Sequence, residues 1–178
     1  MTEPETVIAT ARLSLRHLAP GDAPFILELT NDPDWLRFIG DRGIRTLDDA
    51  RRYIETGPME MYARLGFGLW AVERREGGGP IGICGLIGRD WLEAPDVGFA
   101  FLPAFRGMGY AREAATATLG HARDALGIGR VLAIVSTENA DSIRLLEDLG
   151  MRFERTALPP GASSEVRVYS IPFMKVEG

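Results

Sequence analysis

Residues 105 to 111 read Phe105-Arg106-Gly107-Met108-Gly109-Tyr110-Ala111, a glycine-rich turn between a strand-like run at 96–102 and an alanine-rich stretch of helical period. Those residue types bind anions. Glycine lets the main chain turn tightly and approach a ligand unobstructed, and the first N–H groups of a following helix point outward at the positive end of its dipole. A pyrophosphate suits such a cradle. A dinucleotide fingerprint begun at Gly107-x-Gly109 would put Arg112 at its third position, where close helix packing needs Gly or Ala. A P-loop would need Gly-Lys-Ser or Gly-Lys-Thr, yet the chain's one lysine is Lys175. NAD binding and nucleotide hydrolysis are both disfavoured.

The elements that must hold this turn follow from periodicity. Residues 12–16 alternate as a half-buried strand, Asp22-Ala-Pro-Phe opens a helix with Asp22 as its cap, and 35–39 form a short helix. Thr46-Leu-Asp-Asp49 has the form of a capping box for a third helix through Tyr53 and Ile54. Residues 67–72 and 81–87 are strand formers joined across Gly77-Gly78-Gly79-Pro80, a hairpin connection, and 96–102 continues the meander. After the glycine turn, Ala111, Ala114, Ala115, Thr118, Leu119, Ala122 and Leu126 keep helical spacing up to Gly127, with small side chains that admit close approach to a sheet. The continuous apolar run 131–135 reads as a strand covered on both faces, parallel to 96–102 through a βαβ crossover. A helix over 139–149 closes at Gly150, and 152–156 and 165–171 are the last strands.

With 178 residues and 46% hydrophobic content, the chain is long enough for one core and too short for two, so a single domain spanning 1–178, with its core at about 10–172, is expected. A net charge of −5 gives no footprint for nucleic acid or an anionic membrane. Two histidines and one cysteine make no cluster with metal spacing, so no metal is expected. Cys84, inside an apolar run, reads as a small buried hydrophobe. An acidic N-terminus without an apolar signal-length stretch points to a cytoplasmic protein.

A second signature lies about thirty residues beyond the turn, at Asn139-Ala-Asp-Ser142-Ile-Arg-Leu145-Leu146-Glu-Asp-Leu149-Gly150-Met151. Arg106, Gly109 and Ala111 in the order Arg-x-x-Gly-x-Ala resemble the coenzyme A pyrophosphate loop of the GNAT family of N-acetyltransferases. The second segment resembles that family's Asn-x-x-Ser helix ending Leu-Gly. The likeness runs through nearly the whole chain and is closest to the branch that includes ribosomal-protein N-terminal acetyltransferases. It implies an α/β acyl-CoA N-acyltransferase fold: a mixed, mostly antiparallel sheet flanked by helices, with a V-shaped splay between two parallel central strands, those ending at Leu102 and Ser136.

The resemblance also implies roles. Acetyl-CoA is the cosubstrate, moving an acetyl group to a primary amine, either a protein N-terminus or a small molecule, in a ternary complex. Gly107, Met108, Gly109, Tyr110 and Ala111 offer main-chain amides to the pyrophosphate, with Arg106 adding a charge contact or a structural cap. Phe101 and Leu102 offer main-chain groups to the pantetheine arm, and Asn139 and Ser142 contact the cofactor. Asp96 stands where relatives carry a glutamate that deprotonates the amine, and Ser142 where a serine is proposed to protonate the thiolate. Leu146 replaces the tyrosine acid of many relatives, so Ser142, water or Tyr169 must substitute. Trp35, Phe38, Tyr53 and Trp91 could line the acceptor pocket. The alternative function is a non-catalytic acyl-CoA sensor, and a homodimer is compatible with the family.

Overall fold

The computed structural model describes residues 4–174; residues 1–3 and 175–178, which include the outer ends of the expected domain and Lys175, lie outside the described residues. Apolar alternation and runs produce eight strands: β1 (Thr6–Ala9), β2 (Leu13–His17), β3 (Leu69–Arg74), β4 (Pro80–Ile87), β5 (Asp96–Phe101), β6 (Arg130–Ser136), β7 (Arg152–Ala157) and β8 (Val166–Pro172). The helices are α1 (Ala23–Thr30), α2 (Pro33–Phe38), α3 (Leu47–Thr56), α4 (Pro58–Leu65), α5 (Tyr110–Asp124) and α6 (Ala140–Asp148).

The strands make one sheet in the order β1-β2-β3-β4-β5-β6-β8-β7. Every neighbouring pair is antiparallel except β5 and β6, which are parallel and share a single residue pair, Asp96 with Leu132. The Leu132 N–H donates to the Pro95 carbonyl at 2.8 Å, and beyond that point the strands part. The expected V-shaped splay is therefore present, closed at Asp96 and open toward Phe101 and Ser136.

The splay divides the core on one face only. On the α5 and α6 side a continuous apolar cluster runs from Leu13 and Leu15 through Trp70, Val97 and Phe101 to Val131, Ala133 and Tyr169. Ala114, Ala115 and Ala122 are fully buried there, and their small size lets α5 lie close to the strands. On the other side the apolar residues form two clusters. One gathers Phe25, Leu29, Trp35 and Ile54 of α1, α2 and α3 over Ala71, Ile83 and Leu102. The second packs Leu92 and Trp91 of the β4–β5 connection over Leu132 and Val168.

Local capping matches the sequence in α3, where the Asp49 N–H donates to Thr46 Oγ1 at 3.0 Å and the Thr46 N–H donates to Asp49 Oδ2 at 3.1 Å. Asp22 departs from expectation. Its carboxylate makes no cap to α1; it accepts from the Ala19 N–H at 2.9 Å and from both terminal nitrogens of Arg16 at 2.9 Å. Arg16 also donates to Glu73 at 2.8 Å, so an ion-pair network outcompetes the cap. Sequence reading also missed β1, a four-residue edge strand, and drew no separate helix at α4, where Pro58 occupies the first helical turn.

Strands β3 and β4 approach so closely that an ideal Cβ on Gly85 would lie 2.0 Å from the Gly68 carbonyl oxygen and 2.9 Å from Leu69 Cα, both main-chain atoms. Gly85→Ala should cost about 2 kcal/mol or more, read as a lower urea midpoint, because only backbone movement relieves the clash. Gly21→Ala, which meets nothing within 4 Å, should stay within about 0.5 kcal/mol of the native protein.

Candidate active site

The glycine turn sits at the open end of the splay. After β5 a single 3-10 turn at Pro103–Phe105 redirects the chain, and Gly107 and Gly109 follow with φ of +75° and +80°. Both values lie in the left-handed region where glycine carries no Cβ penalty. Gly109 is the N-cap of α5, and the first helical bond is the Glu113 N–H to the Gly109 carbonyl at 3.1 Å. Among the described residues, the N–H groups of Gly107 through Arg112 donate to no protein acceptor. Six open donors at the positive end of a fifteen-residue helix fit a pyrophosphate.

Side chains hold the turn from two directions. Arg12 donates through Nη1 to the Met108 carbonyl at 2.9 Å and through Nε to Glu113 Oε1 at 2.7 Å, while its guanidinium stacks 4.6 Å from the Tyr110 ring centre. Glu113 also accepts from Thr10 Oγ1 at 2.5 Å and from the Arg12 N–H at 3.0 Å. Partial desolvation raises the Glu113 pKa, but the hydrogen bonds from Thr10 and Arg12 outweigh it and hold the carboxyl below the ordinary Glu value. Arg12 and Glu113 are about a hundred residues apart, with no motif linking them, so this brace was invisible in the sequence.

Arg106 acts as a brace as well. Its Nε donates to the Phe101 carbonyl at 3.0 Å, Nη1 to Asp34 at 2.6 Å and Nη2 to Asp32 at 2.7 Å. Asp32 in turn caps α2, accepting from the N–H groups of Asp34 and Trp35. Of the two roles expected for Arg106, its bonds describe the structural one.

Strand register identifies which main-chain groups face the splay. The Leu102 N–H donates across to Ile81 of β4 at 3.0 Å, whereas Pro95 bonds to β6, so alternation turns the main-chain groups of Phe99 and Phe101 toward the splay. Leu102, expected to offer its main chain to the pantetheine arm, is committed to β4 through its N–H and accepts from the Phe105 N–H through its carbonyl. The same alternation on β6 exposes Ile134. Phe99 and Ile134 escaped sequence reading because only cross-strand register reveals them.

Asp96 lies at the apex of the V, 1% exposed, about 16 Å from Phe101 by strand rise. Strand alternation places its side chain with Gly98 and Ala100, on the face of α1, α2 and α3 and between the two separate apolar clusters. Burial pushes its carboxyl above the ordinary Asp value. The charge of Arg89 and the hydrogen bond from Arg89 Nε, 2.9 Å away, offset this in part.

Ser142 is on the other wall, in the first turn of α6 beyond the far end of β6. Its N–H donates to Asn139 Oδ1 at 3.3 Å, so Asn139 caps α6, while Asn139 Nδ2 and the Ser142 hydroxyl have no protein partner among the described residues. Asp96 and Ser142 do not touch. Leu146 is 2% exposed in the core. Tyr169, the other expected substitute acid, is buried on the α6 side, with its hydroxyl 3.5 Å from Glu147 Oε1. Of the aromatic residues expected around an acceptor, Trp35 belongs to one flanking cluster, Tyr53 packs against that cluster, and Trp91 packs against the other. Phe38 lies under Arg37, 4.6 Å from its ring centre. Cys84 is fully buried against Thr118 with its thiol pushed up to about 12 by burial.

No described helix is long and apolar enough to cross a membrane. Among the described residues no group of three His, Cys, Asp or Glu side chains is placed to hold a metal ion.

Comparison with known proteins agrees with this geometry. The chain is 27% identical over 171 residues to the uncharacterized N-acetyltransferase YoaA of Bacillus subtilis, covering 93% of this chain and 96% of the relative. The crystal structure of an acetyltransferase from Agrobacterium tumefaciens superposes with a TM-score of 0.80 at 25% identity over 97% of both chains. RimL, a ribosomal alpha-N-protein acetyltransferase in complex with coenzyme A, shares the fold with a TM-score of 0.80 at 15% identity, covering 95% of this chain and 98% of its own. The acetyltransferase (GNAT) domain model matches residues 12–152. With that match spanning the turn, the splay and α6, the chain belongs to the GNAT acetyltransferase family and is an acetyl-CoA-dependent N-acetyltransferase.

Proposed function

We propose that the protein acetylates a primary amine, a protein N-terminus or a small-molecule amine, by direct transfer in a ternary complex. The observation that carries this reading is the continuity of open main-chain donors, from residues 107–112 to the unpaired strand edges at Phe99, Phe101 and Ile134. Acetyl-CoA, when bound, supplies an activated acetyl thioester. The amides of Gly107, Met108, Gly109, Tyr110 and Ala111 hold its pyrophosphate, preset by the Arg12 and Arg106 braces so that little ordering remains on binding. Phe101, through its N–H, and Phe99 and Ile134 offer the pantetheine amides a strand-like partner. Asn139 Nδ2 and the Ser142 hydroxyl, left unbonded by α6, add side-chain contacts.

Asp96 faces the acceptor side and takes the ammonium proton, directly or through water. Its raised pKa improves it as a base while Arg89 keeps it oriented. Ser142 Oγ is the proton donor on the opposite wall, secondary to its role in cofactor contact. A binding-only sensor, the alternative function, would need no buried carboxylate on the acceptor face.

Gly109→Val would force a branched side chain to φ +80° beside Arg12 Nη2, 3.3 Å from an ideal Cβ. Calorimetric titration with acetyl-CoA should then lose at least about tenfold in affinity while the protein keeps a cooperative melting transition. Retained affinity in a folded variant contradicts the pyrophosphate assignment.

As a base, Asp96 works only when deprotonated, so kcat/KM falls as pH drops through its pKa; because burial raises that pKa, the fall begins at higher pH than for an exposed Asp. Asp96→Asn should lower kcat/KM by about 100-fold and remove this acidic limb from the pH profile. An unchanged profile would reduce Asp96 to a strut for Arg89.

A further inference from the structure

Arg89 is the arginine whose bonding leaves a question beside the reaction centre. Its side chain is 25% exposed, and only Nε is engaged, on Asp96. A guanidinium has five N–H donors in a planar fork. Among the described residues the four on Nη1 and Nη2 meet no acceptor, yet they are absent from the buried, unpartnered groups and so are open to a ligand. Arg106, by contrast, spends all three of its nitrogens inside the protein.

The surroundings of that open fork are constrained. It rises from the start of the β4–β5 connection, whose Gly88 N–H donates to Met61 Sδ of α4 at 3.5 Å. Apolar clusters stand on both sides, one with Tyr53 packed against it and the other with Trp91. The Tyr53 hydroxyl also has no hydrogen-bond partner among the described residues. Burial raises its pKa, and the charges of Arg42 and Arg89 act on it in the opposite sense. Arg42 makes no ion pair among the described residues.

We infer that the free fork of Arg89 and the Tyr53 hydroxyl form a carboxylate-binding subsite, and that the acceptor is an amine carrying a carboxylate a few bonds from its nitrogen. This rests on the acetyl-transfer reading above and narrows its substrate class. Bidentate pairing of a guanidinium with a carboxylate fixes orientation as well as position. One residue thereby aligns both reactants: Arg89 Nε holds the Asp96 carboxylate, and Arg89 Nη1 and Nη2 hold the acceptor carboxylate, with the amine directed to Asp96. The carboxylate can come from a free amino acid or from an acidic first residue of a peptide, and the subsite chemistry is the same.

The test compares free amino acids with their α-carboxamides, and peptides beginning with Asp or Glu with those beginning with Asn or Gln, in the native protein, Arg89→Lys and Tyr53→Phe. In the native protein the acid of at least one series should exceed its amide in kcat/KM by about tenfold or more, and the series that shows it identifies the carboxylate source. The ratio should fall toward one in Arg89→Lys, which keeps the charge beside Asp96 and loses the fork, and fall in part in Tyr53→Phe. Because acid and amide are compared within each variant, damage to Asp96 or to folding cancels. A native ratio near one in both series, or a ratio unmoved by both substitutions, overturns the subsite.

Titrating the same pairs into CoA-saturated protein reads the subsite without turnover. Acid-selective binding lost in Arg89→Lys upholds it even if no acetyl group moves, an outcome that would instead sink the proposed reaction. Equal binding of acid and amide overturns the subsite whatever the turnover.

Discussion

The single residue pair between β5 and β6 is the constraint on which the molecule's organisation depends. Parallel strands beside one another would normally continue their ladder, but here only the closed end is bonded, and the open ends present main-chain donors and acceptors without partners. Such groups are costly to bury unpaired and tolerable in a cleft that a ligand with amides of its own can fill. The same divergence splits the apolar core on the α1, α2 and α3 face while leaving the α5 face continuous. One side of the sheet therefore carries cohesion, and the other carries a polar gap with a buried carboxylate at its apex.

Around the glycine turn the arginines support rather than reach outward. Arg12 and Arg106 are both engaged by carboxylates and by main-chain carbonyls, so the positive character of the turn comes from oriented N–H groups and the α5 dipole. Fixed dipoles need no reorganisation when the ligand arrives, whereas free arginine side chains would lose rotamer freedom.

Much of this was legible in the sequence because it is local. The glycine turn, the Thr46 cap, the hairpin at Gly77-Gly78-Gly79 and the small-residue face of α5 each follow from residues within a few positions of one another. The helix over 139–149 was readable from its apolar spacing and closing glycine, and Asn139 caps it as α6. What escaped depends on register or on distant partners. Leu102 was paired with Phe101 as a ligand-facing residue, yet adjacent strand residues face opposite edges, and only the bond to Ile81 tells which edge is which. Asp22 looked like a cap until Arg16, which also donates to Glu73 of the neighbouring strand, claimed it. The open fork of Arg89 depends on which acceptors the fold brings near it, and no local pattern encodes that.

The bonds of Arg106 tie the glycine turn to Asp32, the cap of α2, and to Asp34 in its first turn, and α2 carries Trp35 into the apolar cluster on that face. Changes in α2 are thus not separable from changes at the turn. Substitutions that displaced Asp32 or Asp34 would release the glycine turn along with α2, and those that leave both carboxylates in place would not. One side chain makes two distant segments a single mechanical unit.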